Sequence, residues 1–408
     1  MDNLRIDATR LWNTLMETAA IGGTSDGGIR RLTLTEEDRQ VRDWFKNRCE
    51  KLGCTVTIDE VGNMFALRAG TDASALPIAI GSHLDTQPTG GKFDGILGVL
   101  AGLEIFQTLT DAGYTTRRPL LLVNWTNEEG ARFSPAMLGS GVHAGVFDRA
   151  YADGRLASDG ARFGNALDGI SYRGTVKAGA TKFAAMFELH IEQGPVLEQA
   201  DTDIGIVTGV QGMRWYDVTI KGREAHAGTT PMQMRQDAMT AAARLILGVE
   251  TIAGEFLGLA TVGDLNVTNA SRNVVAGHLH MTIDLRHHDD SALDHMEAAT
   301  QHLIEATGAA VSAITCERIW HSPAVNFDPG CVAAVSKSAA DAGFSAMEII
   351  SGAGHDSVYI SRIAPTAMIF VPCKDGLSHN PLESSTVDQC GAGAQTLLGA
   401  VLAYAEHL

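Results

Sequence analysis

Histidines and carboxylates stand where short apolar runs of this 408-residue chain end: His83 after PIAIGS, Asp94 in the loop TQPTGGKFDG, Glu129 after PLLLVNWTNE, His190 in AAMFELHIEQGP and His379 in GLSHNP. A single His or Asp at a strand end is ordinarily a loop cap or a surface group, so the weight rests on the joint pattern. Nitrogen and oxygen donors without cysteine suit two zinc, manganese or similar ions sharing Asp94 as a bridge. His83 lies two residues before Asp85, which on a strand of period two puts both side chains on one face, where a carboxylate can orient a metal-bound imidazole. Glu128 and Glu129 are neighbours, so extended backbone turns them to opposite sides. One can bind a metal while the other faces its water.

Positioning such groups requires strands whose ends meet at one cleft. Helix-period stretches alternate with short β-branched runs, which predicts an α/β fold with a mainly parallel sheet, and ligand clefts form at the carboxyl ends of such strands. The pattern predicts helices over 6–20 and 35–52, the second opened by Thr35 with Asp38 three residues later, and a hairpin pairing 55–59 with 63–68. From Met213 it changes to strand WYDVTIKG, helix 235–250, strand LATVGDLNVTN, strand HLHMTIDLR, helix 291–307 and strand AVSAITCERIW. That β-α-β-β-α-β order predicts a smaller α+β domain inserted into the larger one. The expected organisation is a catalytic metal-binding domain over 1–211 and 329–408, interrupted by an insert over 212–328.

Composition narrows the function classes. Thirty-one Lys and Arg against 48 Asp and Glu give a net charge of −17, the wrong sign for a phosphate backbone or an anionic membrane surface. Hydrophobic residues make up 45% and charged residues 19%, as expected of a packed globular protein rather than a disordered one. The longest apolar run, ILGVLAGLEIF, is cut by Glu104, and the start MDNLRIDATRLWN lacks the basic and apolar regions of a signal peptide, so a cytoplasmic protein is expected. The six cysteines form no CxxC pair and read as reduced thiols.

The segments GSHLDTQPTGGKFDGILGVLAGLE, NEEGARFSPAMLGS, ELHIEQGPVLE, REAHAGTTPM, SGAGHDS and GLSHNP resemble the metal-dependent amidohydrolases of N-carbamoyl amino acids, a branch of the aminoacylase and carboxypeptidase superfamily. That branch also holds β-ureidopropionases and allantoate amidohydrolases. The resemblance spans nearly the whole chain, and a histidine at 190, where the peptidase branches usually carry an acid, favours the carbamoyl branch. It implies that His83 and His190 bind one divalent ion, Glu129 and His379 the other, and that Asp94 bridges them. Zinc is the first expectation, with manganese, cobalt or nickel as alternatives. Glu128 is then the base that takes a proton from water attacking the ureido carbonyl and delivers it to the departing nitrogen, with Asp85 as a supporting catalytic residue. The resemblance further implies that His226 donates to the developing oxyanion, that Gln193 and Asn273 bind substrate, and that Arg286 holds its carboxylate. In SGAGHDS, Gly354 allows backbone to approach a ligand, although the same turn could simply open a helix at His355 and Asp356. His226, Asn273 and Arg286 fall in the insert, which is therefore expected to act as a lid and as the interface of a homodimer.

Competing motifs fail on context. GTSDG at 23–27 matches GxSxG but follows a helix rather than a strand, HIEQG lacks the second histidine of HExxH, and no GxGxxG follows a strand. Two further functions stay open: allantoate or β-ureidopropionate hydrolysis by the same chemistry, and a catalytically silent ligand-binding protein on the same fold.

Overall fold

The computed structural model describes residues 4–407, which divide into two compact units: residues up to Thr208 with those from Phe327 onward, and Gly209–Asn326 between them. Each has its own hydrophobic core.

In the larger unit the strands Ile78–His83, Leu120–Trp125, Ala185–Ile191 and Thr366–Val371 are buried at every position. They form the parallel centre of the sheet, with Leu120–Trp125 and Ala185–Ile191 flanking Ile78–His83 and Thr366–Val371 beyond Ala185–Ile191. Continuous apolar runs are what a strand covered on both faces requires. Alternation then divides them: Ile78, Ile80, Leu120, Leu122, Phe187 and Leu189 join the core under the helices Ala8–Ala19, Ile96–Asp111, Pro329–Ala342 and Val387–His407, while Ala79, Leu121, Val123, Trp125 and Met186 pack on the other face. Antiparallel strands close the edges. Met64–Arg68 pairs Leu120–Trp125 and carries Thr55–Ile58 outside it, and Ile204–Val210 pairs Thr366–Val371. The expected α/β class with a largely parallel centre is what the chain forms.

Helix ends follow the capping residues. Asp7 accepts from the Arg10 amide, Asp328 from Cys331 with Pro329 in the first turn, and Gly343 ends that helix at φ +80°. Thr35 accepts from the Asp38 amide, but Asp38 reaches back to the amide of Leu34 rather than to that of Thr35. Its second partner is Arg42, one turn on, in a buried ion pair whose guanidinium also donates to the Gly62 carbonyl. Three short helices, Leu138–His143, Arg149–Asp153 and Phe163–Gly169, lie in a stretch where periodicity predicts nothing. Five to seven residues are too few for a helical period to register.

The smaller unit has the strands Gly212–Lys221, His278–His287 and Ala313–Ser322, with the helices Ala238–Phe256 and Asp290–Gly308 packed against them. The run LATVGDLNVTN, expected as one strand, is two: Leu259–Thr261 and Leu265–Val267 pair with different parts of His278–His287, broken at Gly263 and Asp264. His278–His287 alternates half-buried and buried along its whole length, the pattern of a sheet with one face on a core. Among the described residues no helix is long and apolar enough to cross a membrane.

Candidate metal centre

His83 is the last residue of its strand and is buried. Its Nδ1 lies 2.9 Å from the carbonyl oxygen of Asp85 and 3.9 Å from the Asp85 carboxylate. The imidazole is therefore oriented by the backbone of Asp85 and not, as strand alternation suggests, by its side chain, because the strand ends before Asp85. That carboxylate instead accepts from the amides of Glu128, at 3.3 Å, and Glu129, at 3.4 Å, so Asp85 positions the turn bearing both acids. Burial pushes the His83 imidazole down to about 4, which keeps it neutral, the form that ligates metals.

Asp94 occupies the loop before the helix Ile96–Asp111 and turns one oxygen to each side. Oδ1 lies 3.1 Å from Nε2 of His190 and 3.8 Å from Nε2 of His83, while Oδ2 lies 3.2 Å from Nε2 of His379. His379 Nε2 is in turn 3.4 Å from Glu129 Oε2. Close approach at Gly95 is compulsory: it has φ +66°, and a Cβ there would lie 2.2 Å from the His83 ring. His190 is fixed from behind, Nδ1 facing the Ile191 carbonyl at 2.9 Å.

Two groups of potential ligand atoms result, His83–Asp94–His190 and Asp94–Glu129–His379, each with its atoms within 4.8 Å of one another. Glu128 stands beside the first, Oε2 3.5 Å from His83 Nε2. The two acids thus face different groups, although a turn beyond the strand Leu120–Trp125, and not strand alternation, separates them. Burial, then the charges of Asp356, Glu129, Asp85 and Asp94, push the Glu128 carboxyl well above its usual range. Burial and the charges of Asp94 and Asp85 do the same to Glu129, whose Oε1 is buried without a hydrogen-bond partner. Asp94 is held well below, its burial outweighed by hydrogen bonds with His190 and His379. The buried charge of Asp94, the orphaned carboxylate oxygen of Glu129 and three converging imidazoles, that of His83 neutral, are the donor chemistry of divalent cations, so these residues fit the pair of ions the sequence predicts.

Gln193, with φ +59°, joins the same group: its Nε2 donates to Asp94 Oδ2 at 3.0 Å and to Ser378 at 3.1 Å. Gly354 lies in the turn before His355, where an added Cβ would meet the Met137 methyl at 3.2 Å, and the turn does open a helix, Asp356–Ile360. The His355 ring stacks edge-on against His190, centroids 4.6 Å apart. Three residues that sequence reasoning missed also touch the group. Gln87 donates to Glu129 at 2.7 Å, Ser378 donates to Asp94 at 3.0 Å, and buried Glu383 accepts from the amides of Phe93 and Asp94. No signal marks them, since polar loop residues are common and their partners are far away in sequence.

In the smaller unit, His226 pairs with Val274 in a two-stranded ladder, and Ala227 donates to the Asn273 carbonyl at 2.9 Å, so His226 and Asn273 are brought together. His226 Nδ1 accepts from the amides of Gly228, at 3.0 Å, and Thr229, at 3.2 Å. An acceptor nitrogen on one side assigns the proton of the neutral ring to Nε2, which becomes a donor. Arg235 pins that loop, donating to the carbonyls of Ala227 and Thr230. Arg286 lies on His278–His287, its Nε and Nη2 on the carboxylate of Asp284 at 2.9 and 2.7 Å.

Comparison with known proteins gives the family. The model of Peptidase family M20/M25/M40 matches residues 79–403. An N-carbamoyl-L-amino-acid amidohydrolase of Rhizobium meliloti is 47% identical, covering 99% of this chain and 98% of its own. An allantoate amidohydrolase of Bacillus subtilis is 34% identical over 93% of each. A crystal structure of an amidase of the hydantoinase/carbamoylase family from Burkholderia multivorans superposes with a TM-score of 0.96 at 48% identity, covering 98% of both chains. The chain belongs to Peptidase family M20/M25/M40, and within it to the amidohydrolases.

Proposed function

We propose that this protein is a metal-dependent amidohydrolase that cleaves N-carbamoyl-L-amino acids to the free amino acid, ammonia and carbon dioxide. The observation that carries this reading is Asp94, one oxygen toward His83 and His190 and the other toward His379 and Glu129, with Glu128 beside the first group. His83, His190, Asp94, Glu129 and His379 would hold two divalent ions, zinc first, with manganese, cobalt or nickel as alternatives. When bound, such ions supply Lewis-acid polarisation of a carbonyl and a lowered pKa for water.

The chain's own groups do the rest. Glu128, beside the first group and a member of neither, accepts a proton from the attacking water at its carboxylate and returns it to the leaving nitrogen. Asp85 keeps Glu128 and Glu129 in register through their amides. His226, donating through Nε2, suits the oxygen on which negative charge develops. Asn273, Gln193, Gly354 and Arg286 are assigned to the substrate, Arg286 to its carboxylate, and residues 212–328 to a lid and a homodimer interface.

The test is ammonia release from N-carbamoyl-L-methionine, N-carbamoyl-β-alanine and allantoate, by protein stripped with a chelator and then resupplied with zinc or manganese. Metal-restorable turnover is expected, highest on the L-α substrate. Turnover favouring allantoate would transfer the assignment to the second reading, which the Bacillus subtilis relative supports. No metal-restorable release from any of them would overturn both.

A further inference from the structure

Glu383 is a charged side chain only 4% exposed, four residues beyond His379, and no step proposed above uses it. The turn that returns the chain to it is closed by the Glu383 amide on the Asn380 carbonyl at 3.0 Å. Its Oε1 accepts from the amides of Phe93, at 2.9 Å, and Asp94, at 3.1 Å. Its Oε2 lies 3.0 Å from the Ser378 hydroxyl, whose single proton it shares with Asp94 Oδ2, also 3.0 Å away. Gly91 leaves room for the carboxylate, since a Cβ there would fall 2.2 Å from Glu383 Cδ. One side chain thus ties the loop presenting Asp94 to the loop presenting His379, with Glu383 and Asp94 289 residues apart in sequence.

We propose that Glu383 is a positioning residue for the two-ion centre, a clip that fixes the backbone of Asp94 and, through Ser378, the oxygen Asp94 turns toward His379 and Glu129. The assignment rests on the metal-centre reading above. Asp94 has to present two oxygens in two directions, and an aspartate on a glycine-rich loop cannot hold that orientation unaided. The two amides fix where its backbone stands. Ser378, together with Gln193 Nε2 on the same oxygen, fixes the rotation of its carboxylate. Hydrogen bonding, not charge, performs this task, so glutamine can replace Glu383: its carbonyl oxygen accepts from both amides, and its amide donates to Ser378, leaving that hydroxyl's one proton for Asp94. Alanine cannot.

Purified full-length protein, stripped of metal, is titrated with zinc against a chromophoric chelator, and separately with cobalt to record its visible absorption. Glu383→Ala is expected to weaken at least one of the two ions by about 10–100-fold, the usual consequence of removing a group that orients a ligand, and to change the cobalt bands. Glu383→Gln is expected within about threefold of the parent with parental bands, a rescue that a merely space-filling role does not predict for both readouts. Parental affinity and bands in Glu383→Ala overturn the clip, as does Glu383→Gln failing as badly as alanine. Should Glu383→Ala not fold, Ser378→Ala decides: weaker zinc binding with altered bands supports the clip, and parental values overturn it. If the parent itself takes up no pair of ions, it is the metal-centre reading that falls.

Discussion

At the scale of single residues Glu128 is the proposed base because it is buried, lies 3.5 Å from a candidate ligand and yet belongs to neither group of potential ligands. Glu128→Gln should therefore lower kcat by about 10²–10⁴-fold while two ions remain bound, as read by turnover and elemental analysis on the same sample. A silent binding protein would show no change. Asp85 separates two roles that the sequence merges. Because its carboxylate accepts amides of the acid-bearing turn while its carbonyl orients His83, Asp85→Asn leaves the His83 contact and disturbs the turn. Turnover should fall about 10–100-fold with the His83 side of the centre still able to bind an ion, measurable as one tight zinc site in a chelator competition.

The elements decide how closely these residues can meet. The strand ending at His83 and the helix beginning at Ile96 are joined by a loop that folds back on the imidazole, and Gly95 is where loop and ring touch. Gly95→Ala puts a Cβ on the centre of a γ-turn at φ +66° and ψ −55°, a sparsely populated conformation costing about 1–3 kcal/mol, and drives it into the ring. A lowered Tm together with weakened zinc binding is the expected outcome, the second because His83 must move. In the smaller unit the loop after His226 is pinned by Arg235. Arg235→Gln should reduce kcat with little change in Tm, since a partly exposed clamp contributes only about 1 kcal/mol to stability while its loop sets the direction of the Nε2–H. Nitrogen NMR of the imidazole checks the tautomer directly: a ring no longer held in the Nε2–H form is expected in the variant, and an unchanged ring with unchanged kcat would sink the assignment.

For the whole molecule, all five candidate ligands and Glu128 belong to the larger unit, and the smaller one has a separate core around Leu245, Met281 and Ile283. Leu245→Ala removes a fully buried side chain from that second core and should cost about 2–5 kcal/mol. Zinc affinity should nevertheless be unchanged, because none of the proposed ligands depends on that core. Thermal unfolding and chelator competition measure the two effects separately.

Much of this was legible from residue order. Runs such as PIAIGSH and PLLLVNW are apolar at consecutive positions because both their faces are covered, and that alone identifies central strands and locates the polar groups at their ends. The five ligand candidates were legible as a joint pattern of His, Asp and Glu at strand ends and in loops, whereas the choice of Glu128 as the base came from the family resemblance. The interrupted strand at Leu259–Val267, the backbone role of Asp85 and the clip at Glu383 could not. Each depends on a partner distant in sequence or on where a strand stops, and hydrogen-bond partners are chosen by packing in three dimensions. Sequence determined which groups are available and on which elements they ride. Only the tertiary structure decided which oxygen faces which imidazole, since that is fixed by contacts a few ångströms long between segments hundreds of residues apart.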